Sequence, residues 1–225
     1  ITSWIDIMIE IKLCGLKEPS HIEVAFNLGV KYIGFVFFEK SPRFLKNETA
    51  KSLIALTPAG IIKVGLVVNP SDDCLNLISG LGLDMLQLHG SESIDRIKEI
   101  KSKFNFSLIK AIGINKEKDL DLVECYSKVA DHILIDAKPN PKNILPGGNG
   151  VKFDWKILEK KSWDFPWFLA GGLNANNITE ALRMTKAKKV DLSSGVEDSN
   201  GRKSINKITS FVKKIKKYEG NINVG

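Results

Sequence analysis

No stretch of this 225-residue chain stays apolar for long enough to cross a bilayer, which excludes a membrane-spanning helix. Cysteine is scarce. Cys14, Cys74 and Cys125 are odd in number and far apart, which argues against a disulfide framework or a CxxC metal site and predicts a reducing cytoplasm as the working compartment. The opening residues, ITSWIDIMIE, lack a basic segment and carry Asp6 and Glu10, so they do not read as a secretion signal. Met8, directly before the first strand, reads as a natural start with residues 1–7 upstream of it. Neither a GxxxxGK(S/T) run nor a GxGxxG fingerprint occurs, which removes the main signatures of nucleotide and dinucleotide cofactors. Nor is there a linker, a low-complexity tract or a domain boundary.

The formal charge of +7 and pI near 9.2 are compatible with nucleic acid, anionic lipid or an anionic small substrate. No zinc-finger, RNP-like or helix-turn-helix spacing accompanies the charge, so no nucleic-acid partner is expected. The densest basic run, Lys213 to Lys217, lies in a terminal amphipathic helix whose apolar stripe is Ile208, Phe211, Val212 and Ile215. It reads as a solvated face.

Hydrophobic residues make up 43% and charged residues 26%, the balance of a globular chain with a sizeable core. The runs YIGFVFF (32–38) and IIKVGLVV (61–68) suit strands buried on both faces. IEIKLCGL (9–16), DMLQLHG (84–90), SLIKAIG (107–113), HILIDA (132–137), WFLAGG (167–172) and KVDLSSG (189–195) complete a set of eight. Between them fall helix patterns at 19–28, 47–56, 72–79, 93–104, 117–128 and 176–184, a helix-like FDWKILEK (153–160) after a long loop, and the terminal helix. Strands alternating with helices imply a parallel sheet with helices outside, and eight evenly spaced pairs imply a single-domain α/β fold, the (β/α)8 TIM barrel. The barrel is expected over 9–219, with 1–8 an N-terminal extension and 220–225 a C-terminal tail.

In such a barrel, reactive side chains sit at the C-terminal ends of strands. Cys14 ends the first, Arg43 follows the second, His89 ends the fourth and Asp136 the sixth. In the first strand Glu10, Lys12 and Cys14 share a face. A lysine two residues below the thiol would favour the thiolate, a base or nucleophile; alternatively Cys14 is a small buried apolar residue. Burial after Ile133–Ile135 would raise the pKa of Asp136 and make it an acid near neutral pH, unless it is a helix N-cap. Arg43 could clamp a carboxylate in two-point geometry or lie on the surface. His89 could line the pocket, although a strand-end histidine with a backbone partner is the plainer reading. The turns AGGL (170–173) and SSGV (193–196) follow the last two strands, where glycine N–H groups can converge on a phosphate. His21 and His132 suggest no function.

KLCG (12–15), GFVFFEKSPR (34–43), VGLVVN (64–69), LQLHG (86–90), IKAIG (109–113), LIDA (134–137), PGGNG (146–150) with FDW (153–155), LAGGL (169–173) and DLSSGVE (191–197) occur in order. This ordered set resembles the phosphoribosylanthranilate isomerases of tryptophan biosynthesis. The resemblance implies a (β/α)8 barrel and a cofactor-free, metal-free Amadori rearrangement of N-(5′-phosphoribosyl)anthranilate to 1-(2-carboxyphenylamino)-1-deoxyribulose 5-phosphate. By motif, Asp136 would be the general acid and Cys14 the general base, and Arg43 would hold the anthranilate carboxylate. Gly171, Gly172, Ser194 and Gly195 would hold the phosphate, and Gly147 and Gly148 would belong to a loop covering the site. Lys12, with Asp191 as its partner inside the barrel, would set the local field. Where the family usually has Gly-Lys-Asp before the last helix, this chain has Lys203 followed by Ser204, itself a competent N-cap.

The expected partner is a small phosphorylated substrate, with no membrane, the chain acting as a monomer or homodimer. The alternative is another phosphate-binding barrel isomerase or epimerase acting on a phosphosugar. A ribulose-phosphate epimerase would want metal-ligand histidines at several strand ends, and an indole-glycerol-phosphate synthase a lysine acid with glutamates; this rim offers neither set.

Overall fold

Eight parallel strands close into a barrel in the computed structural model, which describes residues 8–139, 147–148, 150 and 152–223. The strands are β1 (Glu10–Cys14), β2 (Tyr32–Val36), β3 (Ile62–Val67), β4 (Met85–Leu88), β5 (Ser107–Ile114), β6 (His132–Ala137), β7 (Trp167–Leu169) and β8 (Lys189–Leu192), with β8 pairing back onto β1. Around them lie α1 (Pro19–Asn27), α2 (Asn47–Leu56), α3 (Asp72–Ser79), α4 (Ile94–Lys103), α5 (Leu120–Ser127), α6 (Ile178–Thr185) and α7 (Ile205–Asn223). The expected start at Met8 concerns residues 1–7, which lie outside the described residues, as do Pro141, Pro146 and Asn149 of the long loop. No described helix is long and apolar enough to cross a membrane.

The fold matches the expected barrel, with one helix fewer. FDWKILEK forms only a short 3-10 segment, Trp155–Leu158, begun by Asp154 accepting from the Lys156 N–H at 3.0 Å. Its two buried residues, Trp155 and Leu158, are three apart, a spacing that a 3-10 turn aligns. The 117–128 pattern likewise splits into a 3-10 turn, Glu117–Asp119, and α5. Serine starts several helices as the physics of orphan N–H groups requires: Ser71 accepts from Cys74 N–H and Ser93 from Arg96 N–H, at 3.2 and 3.1 Å. Ser204 does the same for α7, accepting from Lys207 N–H at 3.4 Å, so the departure there preserves the helix start.

Burial divides into two regions. A large apolar layer fills the space between strands and helices, and a smaller cluster of Tyr32, Val64, Met85, Ile109, Ala111, Leu134, Phe168 and Ala170 fills the barrel. The alternation of β1 carries Glu10, Lys12 and Cys14 upward through that interior. At the bottom, Glu10 accepts from the Tyr32 hydroxyl at 2.8 Å and pairs with Lys189. In the middle, fully buried Lys12 meets Asp191. Cys14 comes at the top, where the cavity opens.

Candidate active site

Cys14 is the last residue of β1 and is held in register with Gly34 of β2. A side chain at Gly34 would put its Cβ 2.8 Å from the Cys14 sulfur and 3.1 Å from its Cα, so that glycine is what gives the thiol room. Below it, Lys12 Nζ donates to Asp191 Oδ1 at 2.8 Å, which is the inward pairing the strand pattern suggested. The expected depressed thiol pKa does not follow. Burial pushes the Cys14 thiol above its ordinary value; Lys12 pulls it down, but Asp191 stands beside that lysine and opposes the effect. Lys12 itself is held above its ordinary value, Asp191 and Cys14 outweighing the cost of burial.

Asp136, near the end of β6, faces the same cavity and is 9% exposed. Its Oδ1 accepts from the Ala137 N–H at 2.7 Å, and its Oδ2 lies 3.5 Å from Nε2 of His89. The other ring nitrogen of His89 is 2.7 Å from the side-chain nitrogen of fully buried Gln87. With that amide donating, His89 Nδ1 accepts and Nε2 carries the proton toward Asp136. His89 thus partners a carboxylate and an amide side chain. Gly147 and Gly171 close over this group: a Cβ at Gly147 would lie 2.4 Å from His89 Nε2, and one at Gly171 would lie 3.2 Å from Asp136 Oδ1.

Arg43 follows β2 and reaches across the rim to Glu197, donating from Nε and Nη2 to the two carboxylate oxygens at 2.7 and 2.8 Å. Nη2 also points at the Gly148 carbonyl, 3.3 Å away. Gly15 and Gly148 leave the passage open, since a Cβ at either would come within 2.7 or 2.8 Å of the arginine. Glu197 is shared with Lys203, whose Nζ donates to Oε1 at 2.6 Å and to the Ser193 carbonyl at 2.9 Å. Burial works against charge on Glu197, but Arg43 and Lys203 outweigh it and hold its carboxyl below the ordinary value.

The turns after β7 and β8 form the remaining wall. Gly171 and Gly172 both adopt positive φ, +86° and +62°. Gly195 packs so tightly that a Cβ would fall 1.8 Å from the Leu173 carbonyl oxygen, locking the two turns together. The N–H groups of Gly171, Gly172, Ser194 and Gly195 donate to no other described residue. All of these groups border one open cavity together with Cys14, Arg43, His89 and Asp136. Lys12 is sealed beneath it.

The profile of N-(5'phosphoribosyl)anthranilate (PRA) isomerase matches residues 11–214. The chain belongs to this family. It is 45% identical over 205 residues to the N-(5'-phosphoribosyl)anthranilate isomerase of Paracoccus denitrificans (strain Pd 1222), covering 91% of this chain and 95% of the relative. The isomerase of Ruegeria sp. (strain TM1040) is 44% identical over 206 residues, covering 91% and 96%. Among solved structures, phosphoribosyl anthranilate isomerase from Thermotoga maritima superposes with a TM-score of 0.83 at 31% identity, over 93% of this chain and all of that one. A phosphoribosyl anthranilate isomerase in complex with reduced 1-(o-carboxyphenylamino)-1-deoxyribulose 5-phosphate superposes at 0.78 with 29% identity, covering 93% of this chain and 100% of that one.

Seen as a phosphoribosylanthranilate isomerase barrel, the rim contains groups that sequence reasoning passed over. Gln87 had a usable signal: it is a polar residue between two leucines on a short strand, on the same face as His89. Gly34, a glycine inside a strand, also signals a close approach. Glu197 closes the DLSSGVE motif and Lys203 follows six residues later, but nothing local signals that Glu197 pairs with Arg43, 154 residues away.

Proposed function

We propose that the cavity at the C-terminal rim converts N-(5′-phosphoribosyl)anthranilate to 1-(2-carboxyphenylamino)-1-deoxyribulose 5-phosphate with Asp136 as acid and Cys14 as base. The observation that carries this assignment is the convergence of Cys14, Asp136, Arg43 and two glycine turns on one cavity. Asp136 gives its proton to the furanose ring oxygen as the C1′–O bond breaks, leaving an iminium ion. The Cys14 thiolate then takes the C2′ proton to form an enolamine. The enolamine tautomerises to the ketone, C1′ gaining a proton as the C2′ hydroxyl loses one.

Burial makes the Cys14 thiolate costly to form, so less of it stands ready at neutral pH, while the thiolate that does form is the stronger base. The Nη1 end of Arg43 makes no hydrogen bond to another described residue and is the edge assigned to the anthranilate carboxylate. The unpaired N–H groups of Gly171, Gly172, Ser194 and Gly195 are assigned to the phosphate, with Gly147 and Gly148 over the site. A free thiol as base fits a reducing cytoplasm, and the reading needs neither nucleic acid nor a metal.

The test follows the loss of fluorescence of freshly generated phosphoribosylanthranilate with wild type, Cys14→Ala and Asp136→Asn. Each variant should lose about a hundredfold to ten-thousandfold in kcat, the range for removing a general acid or base. A Cys14→Ala protein that turns over at the wild-type rate would remove the thiol from the mechanism.

A further inference from the structure

The carboxylate end of the cavity contains more machinery than one arginine needs. Glu197 is 8% exposed and grips the Nε and Nη2 edge of Arg43 as a parallel two-bond fork. Lys203, 8% exposed, donates to Oε1 of the same carboxylate, the oxygen that also accepts from Arg43 Nε, and to the carbonyl and hydroxyl of Ser193, at 2.9 and 3.2 Å. The Ser193 hydroxyl in turn donates to the Cys14 carbonyl at 3.2 Å. One carboxylate therefore ties the arginine after β2 to the backbone of the residue that carries the thiol.

We propose that Glu197 is a positioning and specificity-determining residue: by occupying the Nε and Nη2 edge of Arg43, whose Nη2 also meets the Gly148 carbonyl, it leaves only the Nη1 end for substrate, in one orientation. The proposal rests on the assignment of Arg43 to the substrate carboxylate. Two cations and one carboxylate leave a single net positive charge, which one incoming carboxylate neutralises. A substrate without that group finds Arg43 already paired and gains nothing from it. Lys203 matters as the counterweight that keeps Glu197 ionised and placed. Without Glu197 the guanidinium could rotate about its long side chain, and two cations would stand unopposed.

The experiment compares wild type, Glu197→Gln, Glu197→Asp and Arg43→Ala. Readouts are kcat and KM with phosphoribosylanthranilate, and the affinity for reduced 1-(o-carboxyphenylamino)-1-deoxyribulose 5-phosphate against its anilino counterpart lacking the carboxylate. Glu197→Gln should raise KM and weaken the carboxylate-bearing compound by about ten- to hundredfold, the range for a lost charge-assisted hydrogen bond, with little change for the anilino compound. Changes in kcat should be smaller than those in KM. Glu197→Asp, which keeps the charge, should recover part of the loss and also serves should the glutamine variant not fold. Equal weakening of both compounds, or wild-type KM in folded Glu197 variants, overturns the proposal. If Arg43→Ala still discriminates between the two compounds, it is the assignment of Arg43 that fails, and this inference with it.

Discussion

Lys12 and Asp191 stand at paired register on β1 and β8, with 2.8 Å between Nζ and Oδ1, inside the barrel and directly beneath Cys14. An ion pair in that place is a commitment of the whole fold, because Lys12, fully buried beneath the cavity that Asp191 borders, would be stranded without its partner.

Asp191→Leu should therefore destabilise the protein by about 3–5 kcal/mol, the range for breaking a buried pair from one side. Adding Lys12→Met should recover part of that loss rather than double it. Urea denaturation of the two single variants and the double variant measures the coupling, and simple additivity would contradict it.

The pH dependence of catalysis follows from the same pair. Burial holds the Cys14 pKa above its ordinary value, so kcat/KM should rise with pH along a limb whose midpoint lies above that of a free thiol. Lys12 lowers the thiol pKa and Asp191 raises it, so Lys12→Met should move the limb to higher pH and Asp191→Asn to lower pH. Titrating the thiolate absorbance of each protein checks the sign independently of turnover.

Gly34→Ala probes the space around the thiol. The added Cβ would meet the Cys14 sulfur at 2.8 Å, inside contact distance. A displacement of that kind should cost about a hundredfold in kcat while the barrel stays folded. Circular dichroism alongside steady-state kinetics separates the two effects.

Stability should fall in acid through His132 at the bottom of the barrel. Burial and then Lys189 depress its pKa below the ordinary 6.5, against weaker opposing pulls from Asp131 and Glu10. The unfolded chain then binds the proton more readily than the folded one, so this contribution is complete above the unfolded value and is lost as pH falls from there through the lower folded value. Denaturation midpoints between about pH 5 and 8 should show a slope that flattens in His132→Gln.

The order of the elements was legible because each strand is a short run that is apolar throughout or on alternate residues and each helix carries its own stripe, which are local properties of the chain. Chain position also placed Cys14, His89 and Asp136 on one rim, since a parallel barrel brings all strand ends to one face. The missing helix after β6 was harder to see, because Trp155 and Leu158 suit a 3-10 turn as well as a helix until packing chooses.

Other properties of the site arise only when distant segments meet. The Cys14 thiol looked activated by Lys12, and Asp191 stood only as the partner of that lysine, without its opposing pull on the thiol. Folding adds burial and Asp191, contributed by a strand 179 residues later, and the balance turns the other way. Arg43 looked like an arginine free to clamp a ligand, and closure of the barrel brings Glu197 and Lys203 to one of its edges. Local sequence determined which elements form and which residues end them, because backbone propensity and apolar periodicity act over a few residues. Tertiary structure decided the charge state and orientation of the reactive groups, because desolvation and Coulomb attraction depend on distances in space rather than along the chain.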